Sequence, residues 1–199
     1  MRRFTISRCG SRWFAVNIGA MKSLVVLAGW FTLSASFVFG EEPVLMWFPN
    51  EKPIIELQFP TGFKAAYRKD GTCLAVGPKT VMALVAMEKV KDAAAAKSAL
   101  PGFAKSFALH SLGFRDLNAQ AVEDAKLPRS YDDGEAIGIK MLTGSGKNSD
   151  GEEMFVSVTA FPWNHRYFVL FAVAKPADKE QLEKERRSVL ETVTDVNDD

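Results

Sequence analysis

The clearest pattern of hydrophobic and polar positions lies between residues 151 and 193. In Met154–Phe161 the side chains alternate with period two, which is typical of a strand with one wetter face. Tyr167–Ala174 is apolar almost throughout and rich in aromatic and β-branched residues, which indicates a strand buried on both faces. The four residues Pro162 to His165, which separate the two runs, suit the loop of a hairpin. The sequence therefore predicts a central antiparallel hairpin.

A helix is predicted directly after this hairpin. Pro176 stands near its start, where the missing N–H is tolerated. Glu183 and Arg187 are spaced as an i,i+4 ion pair on the predicted exposed side. The predicted buried side holds four apolar residues at helical spacing. These are Leu182, Val189, Leu190 and Val193. One apolar seam of this length favours docking on the chain's own sheet over a coiled coil.

The chain before residue 88 predicts a meander of strands. Asp70-Gly71 stands between two of them and is a strong signal for a two-residue hairpin turn. The predicted strands are Ile54–Phe59, Phe63–Lys69, Thr72–Val76 and Lys79–Met87.

A second helix is predicted between this meander and the later strands. Asp92 is placed to cap it, and Gly113 to end it just after Ser111. Because Pro101-Gly102 falls inside the pattern, we expect a kink or two short helices there.

Residues 114–151 carry weaker signals. They predict a strand at 114–120, a turn at 121–126, a strand at 135–142 opened by Asp133-Gly134, and a polar loop at 144–151. The predicted fold class is α+β, an antiparallel β-sheet sandwiched with helices, in the order strands–helix–strands–helix. We expect a single domain over residues 54–195, with a lead-in at 41–53 and a tail at 196–199.

Residues 1–40 have the pattern of a secretory signal peptide. They contain no Asp or Glu, and an uncharged run follows Met21-Lys22-Ser23. Met21 is a possible true start, because the segment from there to Gly40 alone has the length of a signal. We expect cleavage after Val38-x-Gly40 or after Ser34-x-Ser36, so that the mature chain begins between Phe37 and Glu41, and a secreted or periplasmic protein without a stable membrane span. The alternative is an uncleaved N-terminal segment that anchors the protein in the membrane.

Removal of the leader changes the charge balance and the cysteine count. The remaining chain has 20 Lys and Arg against 24 Asp and Glu, which argues against a nucleic-acid partner. Cys73 is then the single cysteine, so no intramolecular disulfide is possible. Its apolar neighbours favour a core residue over a nucleophile.

No catalytic, cofactor or metal motif is present. The histidines His110 and His165 stand in no zinc-ligand spacing, and no nucleophile elbow, phosphate-binding loop or calcium loop is matched. His110, late in a predicted helix, is interpreted as a surface or boundary residue. We therefore expect no cofactor, and an enzyme remains the less favoured class.

The order of elements resembles the fold shared by the extrinsic P subunit of photosystem II and a Ran-binding nuclear transport factor, which includes secreted bacterial members of unassigned role. The likeness is carried by the strand around Gly134–Lys140, the hairpin Met154–Ala174 and the closing helix. It implies an α+β domain that is non-enzymatic and binds proteins. No site residue of that family matches this chain.

Trp163 and His165 are the candidate binding residues. They stand at the predicted hairpin tip, which is normally solvent-facing, and tryptophan is enriched in interface hot spots. The hypothesis is that both contribute to a protein-binding patch, so that Trp163→Ala weakens partner capture and leaves folding intact. The alternative is that Trp163 folds back onto the sheet or onto the lead-in around Trp47, and that the variant then melts early.

The function expected from these observations is a secreted or periplasmic, non-enzymatic binding or accessory domain that contacts another protein at the cell envelope. Two alternatives stay open. One is a small-ligand carrier with an apolar pocket under the helices. The other is an enzyme whose site is assembled from distant residues.

Overall fold

The structure, a computed structural model, describes residues 42–128 and 136–196. The predicted signal peptide at 1–40, the possible membrane anchor, the Asp133-Gly134 turn and the end of the tail lie outside the described residues. In chain order, the described strands are β1 (Val44–Phe48), β2 (Ile55–Phe59), β3 (Lys64–Tyr67), β4 (Cys73–Val76), β5 (Thr80–Ala86), β6 (Asn118–Ala119), β7 (Glu123–Leu127), β8 (Ile137–Lys147), β9 (Glu153–Trp163), β10 (Arg166–Ala174) and β11 (Thr194–Asp195). The described helices are α1 (Ala93–Ser111), α2 (Lys179–Glu191) and a short 3-10 helix, Pro176–Asp178.

A large antiparallel sheet of eight strands forms the centre of the described structure. Its order is β3-β4-β5-β10-β9-β8-β6, and β7 also pairs with β8. The predicted hairpin of β9 and β10 lies in the middle of this sheet, and Trp163 opposes Arg166 next to its turn. β10 has β5 on one side and β9 on the other, and its two faces contribute to two different core clusters, so almost every residue in it is buried. The predicted α+β fold and its central hairpin are confirmed.

Helix α1 covers one face of the large sheet. Its buried side, which includes Leu100, Ala104 and Phe107, packs with Val156, Val158 and other even-numbered residues of β9 in one apolar cluster. The helix runs unbroken through Pro101, so the expectation of two short helices is wrong.

Both predicted ends of α1 are confirmed. Asp92 accepts a hydrogen bond from the Ala95 N–H at 2.8 Å, and Gly113 follows the helix with a φ of +71°. A positive φ at this position is favourable for glycine and closes a helix end.

Helix α2 and a small sheet, in the order β1-β2-β11, cover the other face. Leu182 and Val189 are fully buried there, with Leu190 and Val193 beside them. They share an apolar cluster with Phe161 and Phe168 of the central hairpin and with residues of β1 and β2. The predicted buried side of the C-terminal helix and its docking on the chain's own sheet are confirmed.

The predicted lead-in contains a strand. Val44–Phe48 pairs along its whole length with β2, and Met46 and Phe48 are buried in the core. Trp47 points outward, with 45% of its surface exposed, and its indole N–H donates to Glu56. The five residues of this strand are all apolar, so the alternation between buried Met46 and Phe48 and exposed Trp47 is set by the structure and is not visible in the sequence.

The predicted turn at 121–126 is also a strand. Glu123–Leu127 pairs with β8, and Asp124 accepts hydrogen bonds from Lys140 of β8 and from Lys97 of α1. This charged edge strand buries little apolar surface, so its alternation is weak in the sequence.

The predicted polar loop at 144–151 is wrong in its first half, because β8 continues to Lys147. Gly144 and Gly146 are needed there for close approach rather than for a turn. A Cβ at Gly146 would come within 2.5 Å of the Asp116 carbonyl oxygen, and one at Gly144 would overlap the Asn118 carbonyl oxygen.

The turn at Asp70-Gly71 is longer than predicted. The Arg68 N–H donates to the Thr72 carbonyl oxygen, and the Gly71 N–H donates to the Arg68 carbonyl oxygen. The loop therefore spans three residues and ends on Gly71 with a φ of +80°.

Candidate functional site

The tip of the central hairpin is a two-residue turn, shorter than the four residues predicted. Asn164 and His165 have φ values of +46° and +60°, and both side chains are exposed. Two successive positive φ values match the twist of the flanking strands and are adopted by Asn and His more readily than by most residues. The turn therefore presents His165 and its neighbour Arg166 at the end of the sheet in a defined conformation.

Asp195 of β11 fixes this turn from below. Its Oδ1 accepts a hydrogen bond from Trp163 Nε1 at 2.6 Å and a second one from the side-chain amide of Asn164. β11 in turn pairs with β2, so the hairpin tip is tied to the small sheet. Hydrogen bonds to an ionised carboxylate are stronger than those between neutral groups, which favours a rigid tip.

A depression of about 380 Å³ lies beside the turn. Its apolar lining comes from Ile137 at the start of β8, Pro162 and Trp163 at the end of β9, and Tyr167 of β10. Its polar lining comes from Lys91, Asn164, His165, Arg166 and Asp195. The depression has the volume of a small binding site, and its lining mixes apolar with polar and charged residues.

Two exposed cations stand at the rim of this depression. Lys91 belongs to the loop that leads into α1, and Arg166 is the first residue of β10. Tyr167 also reaches it, and burial raises the pKa of the Tyr167 hydroxyl above its ordinary value; the charge of Lys140 opposes this shift and that of Asp92 adds to it. The phenol is therefore neutral at physiological pH and can donate a hydrogen bond.

The structure places the two candidate binding residues, Trp163 and His165, in different surroundings. Trp163 is 7% exposed and belongs to the core cluster under α2, which corresponds to the alternative that it folds back onto the sheet. His165 is exposed at the tip. Lys91, Arg166 and Asp195 were not singled out, because no local pattern places residues 91 and 195 beside residue 166. A binding role for Trp163 and His165 stays a proposal.

A buried polar group lies on the same face of the sheet, under α2. Arg186 is 7% exposed and donates to the Thr159 hydroxyl at 2.6 Å and to Glu183 at 2.7 and 3.0 Å. Glu183 thus pairs with Arg186, whereas Arg187 pairs with Glu191. The predicted i,i+4 pair of Glu183 and Arg187 is wrong, because Arg186 faces the sheet and attracts the carboxylate inward.

The two remaining candidates for chemistry, Cys73 and His110, do not line this depression. Cys73 is a free, fully buried cysteine, and burial raises the pKa of its thiol to about 12. A thiol with this pKa is protonated at neutral pH, which confirms a core role over a nucleophilic one. His110 is exposed in the last turn of α1, as predicted.

Within 42–128 and 136–196, no three His, Cys, Asp or Glu side chains are grouped so that they could hold a metal ion. No helix in these two ranges combines the length and the apolar character required to cross a membrane.

Comparisons with known proteins identify the fold. The solution structure of cyanobacterial PsbP (CyanoP) from Synechocystis sp. PCC 6803 is similar over 82% of this chain and 98% of that chain, with a TM-score of 0.55 and 11% identity. A Pseudomonas aeruginosa protein of unknown function is similar over 76% of this chain and 95% of that chain, with a TM-score of 0.42 and 12% identity. No protein-family model matches the sequence, and no curated protein matches it significantly. The likeness to cyanobacterial PsbP confirms the predicted resemblance at the level of the fold.

Proposed function

We propose that this protein is a secreted or periplasmic, non-enzymatic accessory domain that binds another protein through the tip of its central hairpin. The observation that carries the proposal is the pair of exposed residues Asn164 and His165, held in a defined turn by Asp195 beside a depression of about 380 Å³. Trp163 and His165 both line this depression, the first largely buried and the second exposed.

The hydrogen bonds below the turn support a binding role. A surface that is already ordered before binding loses less conformational entropy when a partner docks. The tip also stands at the end of the sheet, where a partner can reach it without displacing either helix. Exposed turns on a rigid scaffold are where binding residues are most often found.

Two further observations support the location and the class of protein. The leader at residues 1–40 has the charge and hydropathy pattern of an export signal, with membrane anchoring by an uncleaved segment as the alternative. The fold resemblance noted above points to families whose members act by binding proteins. An accessory domain at the cell envelope agrees with both the pattern of the leader and the fold resemblance.

The test is affinity capture from the native cell envelope with a matched pair of variants. His165→Asn removes the imidazole and keeps a residue that tolerates a positive φ, so the turn is preserved. His110→Asn changes an exposed histidine near the end of α1, in another part of the fold. We expect His165→Asn to reduce capture of a specific partner by about tenfold, the scale of an interface contact, with His110→Asn unchanged.

Equal capture by both variants at wild-type melting temperature would contradict the proposal. A bound small molecule recovered with the purified protein, in place of a protein partner, would favour the carrier alternative.

A further inference from the structure

The depression at the hairpin tip holds two cations that no carboxylate of the described chain neutralises. In residues 42–128 and 136–196, neither Lys91 nor Arg166 has an acidic group within 4.0 Å. Elsewhere on the surface Lys79 pairs with Asp178 at 2.8 Å, and Lys97 pairs with Asp124 at 2.6 Å. The charges of Lys91 and Arg166 are therefore available to a ligand.

Asp195 is the carboxylate among the described residues that line this depression, and its hydrogen bonds are made to the hairpin turn. Its Oδ1 accepts from both Trp163 and Asn164, so its role is to hold the turn. The two cations Lys91 and Arg166 thus stand against one carboxylate, Asp195, in the lining of the depression, so its charge is net positive.

Part of the lining of the depression is apolar. Ile137 and Pro162 are its half-buried apolar residues, and the cations Lys91 and Arg166 are exposed. A ligand that fits both kinds of residue carries carboxylates together with aliphatic or aromatic groups. A short protein segment with alternating acidic and apolar side chains has this chemistry, because its two kinds of side chain can meet the cations and the apolar residues at once.

We infer that the partner docks on this depression with an acidic, partly apolar segment, whose carboxylates meet Lys91 and Arg166 and whose apolar side chains pack on Ile137 and Pro162. This inference rests on the proposed function and names the chemistry of its partner.

The test uses two rhodamine-labelled peptides of equal length, one alternating Asp with Leu and the other alternating Lys with Leu. Their binding to the purified protein is measured by fluorescence anisotropy. We expect the acidic peptide to bind and the basic one not to bind. The affinity for the acidic peptide should fall several-fold between about 50 mM and about 300 mM NaCl, because salt screens exposed charges.

Charge-reversal variants locate the binding. Lys91→Glu combined with Arg166→Glu should lower the affinity for the acidic peptide by at least about tenfold, since both positive charges beside the depression are inverted. Lys105→Glu combined with Lys184→Glu makes the same change in net charge at exposed positions on α1 and α2. This control should change the affinity less than about twofold, because its charges are distant and screened. Thermal melting of each variant, together with the neutral pair Lys91→Gln and Arg166→Gln, separates loss of binding from loss of folding.

Three results would overturn the inference: equal binding of the acidic and basic peptides, equal weakening by the two double variants, or tighter binding of a single-stranded oligonucleotide than of the acidic peptide. The proposed function fails in a different way. If capture of the native partner is lost in His165→Asn but untouched by the Lys91 and Arg166 variants, only the acidic chemistry is wrong. If neither change affects capture, the hairpin tip is not the binding surface.

Discussion

The indole of Trp163 and the carboxylate of Asp195 join the central hairpin to the last strand of the small sheet. Nε1 of Trp163 donates to Oδ1 of Asp195 at 2.6 Å, across 32 positions of the sequence. The same oxygen accepts from Asn164, so one side chain fixes both the buried end and the exposed turn of the hairpin. Trp163 thus supports the proposed binding surface from inside the core.

Trp163→Ala is expected to destabilise the protein, contrary to the hypothesis drawn from its position at the tip. The ring is 7% exposed, and its removal leaves a cavity, so the free energy of unfolding should fall by about 3–5 kcal/mol. Trp163→Phe keeps most of the ring and loses the hydrogen bond to Asp195, which should cost about 1–2 kcal/mol. Urea unfolding measures both values.

Asp195→Ala completes a double-mutant cycle for that hydrogen bond, because Asn would keep an oxygen that accepts from the indole N–H. When it is combined with Trp163→Phe, the two losses should be less than additive, because each removes the same contact. Full additivity, or a Trp163→Ala variant as stable as the wild type, would show that the indole is not held in this way.

Val189→Asp is expected to unfold or severely destabilise the domain. Val189 is fully buried between α2 and the sheet, and an unpaired charge there should cost several kcal/mol. Ser188→Asp is the matched control, because Ser188 is the preceding residue of α2 and is exposed. It should change the free energy of unfolding by less than about 0.5 kcal/mol. Similar losses of melting temperature in the two variants would mean that α2 presents a different side to the sheet.

Glu183→Ala is expected to cost more than an ordinary surface substitution. Glu183 is the acceptor for the guanidinium of Arg186, whose side chain is 8% exposed. Loss of this partner should lower the free energy of unfolding by about 1–3 kcal/mol, since hydrogen bonds to charged groups are at the strong end of the range. The comparison is Glu191→Ala, which breaks the exposed pair with Arg187 and should cost less than about 0.5 kcal/mol. Chemical denaturation that ranks the two variants in the opposite order would contradict this assignment.

Cys73 predicts a loss of stability at alkaline pH. Its pKa is about 12 in the folded protein and about 8.5 in an unfolded chain, so the unfolded state loses its proton first as the pH rises. The contribution of the protonated thiol to the free energy of unfolding is complete below about pH 8.5. Above that pH it decreases by up to about 1.4 kcal/mol per pH unit until the folded thiol also ionises. Between pH 8 and pH 10 the wild type should therefore lose about 2 kcal/mol more than Cys73→Ala.

The measurement for this prediction is denaturant unfolding of both proteins at the two pH values. The lost packing of Cys73→Ala affects both values equally and cancels in the difference. Parallel losses in the two proteins would place the thiol in contact with solvent.

The sequence predicts the parts of this fold where burial is strong. β10 and α2 were identified from Phe168, Leu182 and Val189, because a run or stripe of large apolar residues has one stable arrangement. β7 was missed because an edge strand held by the Asp124–Lys140 pair shows little apolar alternation.

The candidate site was predictable only in part. The position of His165 in a turn is predicted from the local sequence, and its role in binding stays a proposal. The contact between Asp195 and Trp163 is not predicted, since it depends on the path of the chain after α2. The orientation of Arg186 also follows from the polar Thr159 in the facing strand rather than from helical spacing. Contacts between segments that are distant in the sequence therefore determine the candidate site. Local patterns determine the strands and helices that carry it.

Site-specific photocrosslinking in native cells tests the central claim most directly. A photoreactive benzoylphenylalanine is placed at His165 in one strain and at the exposed His110 of α1 in another. After irradiation, we expect one specific covalent adduct between this protein and a second protein from position 165, and none from position 110. An adduct from position 110 alone, or identical adducts from both positions, would contradict the assignment of the hairpin tip as the binding surface.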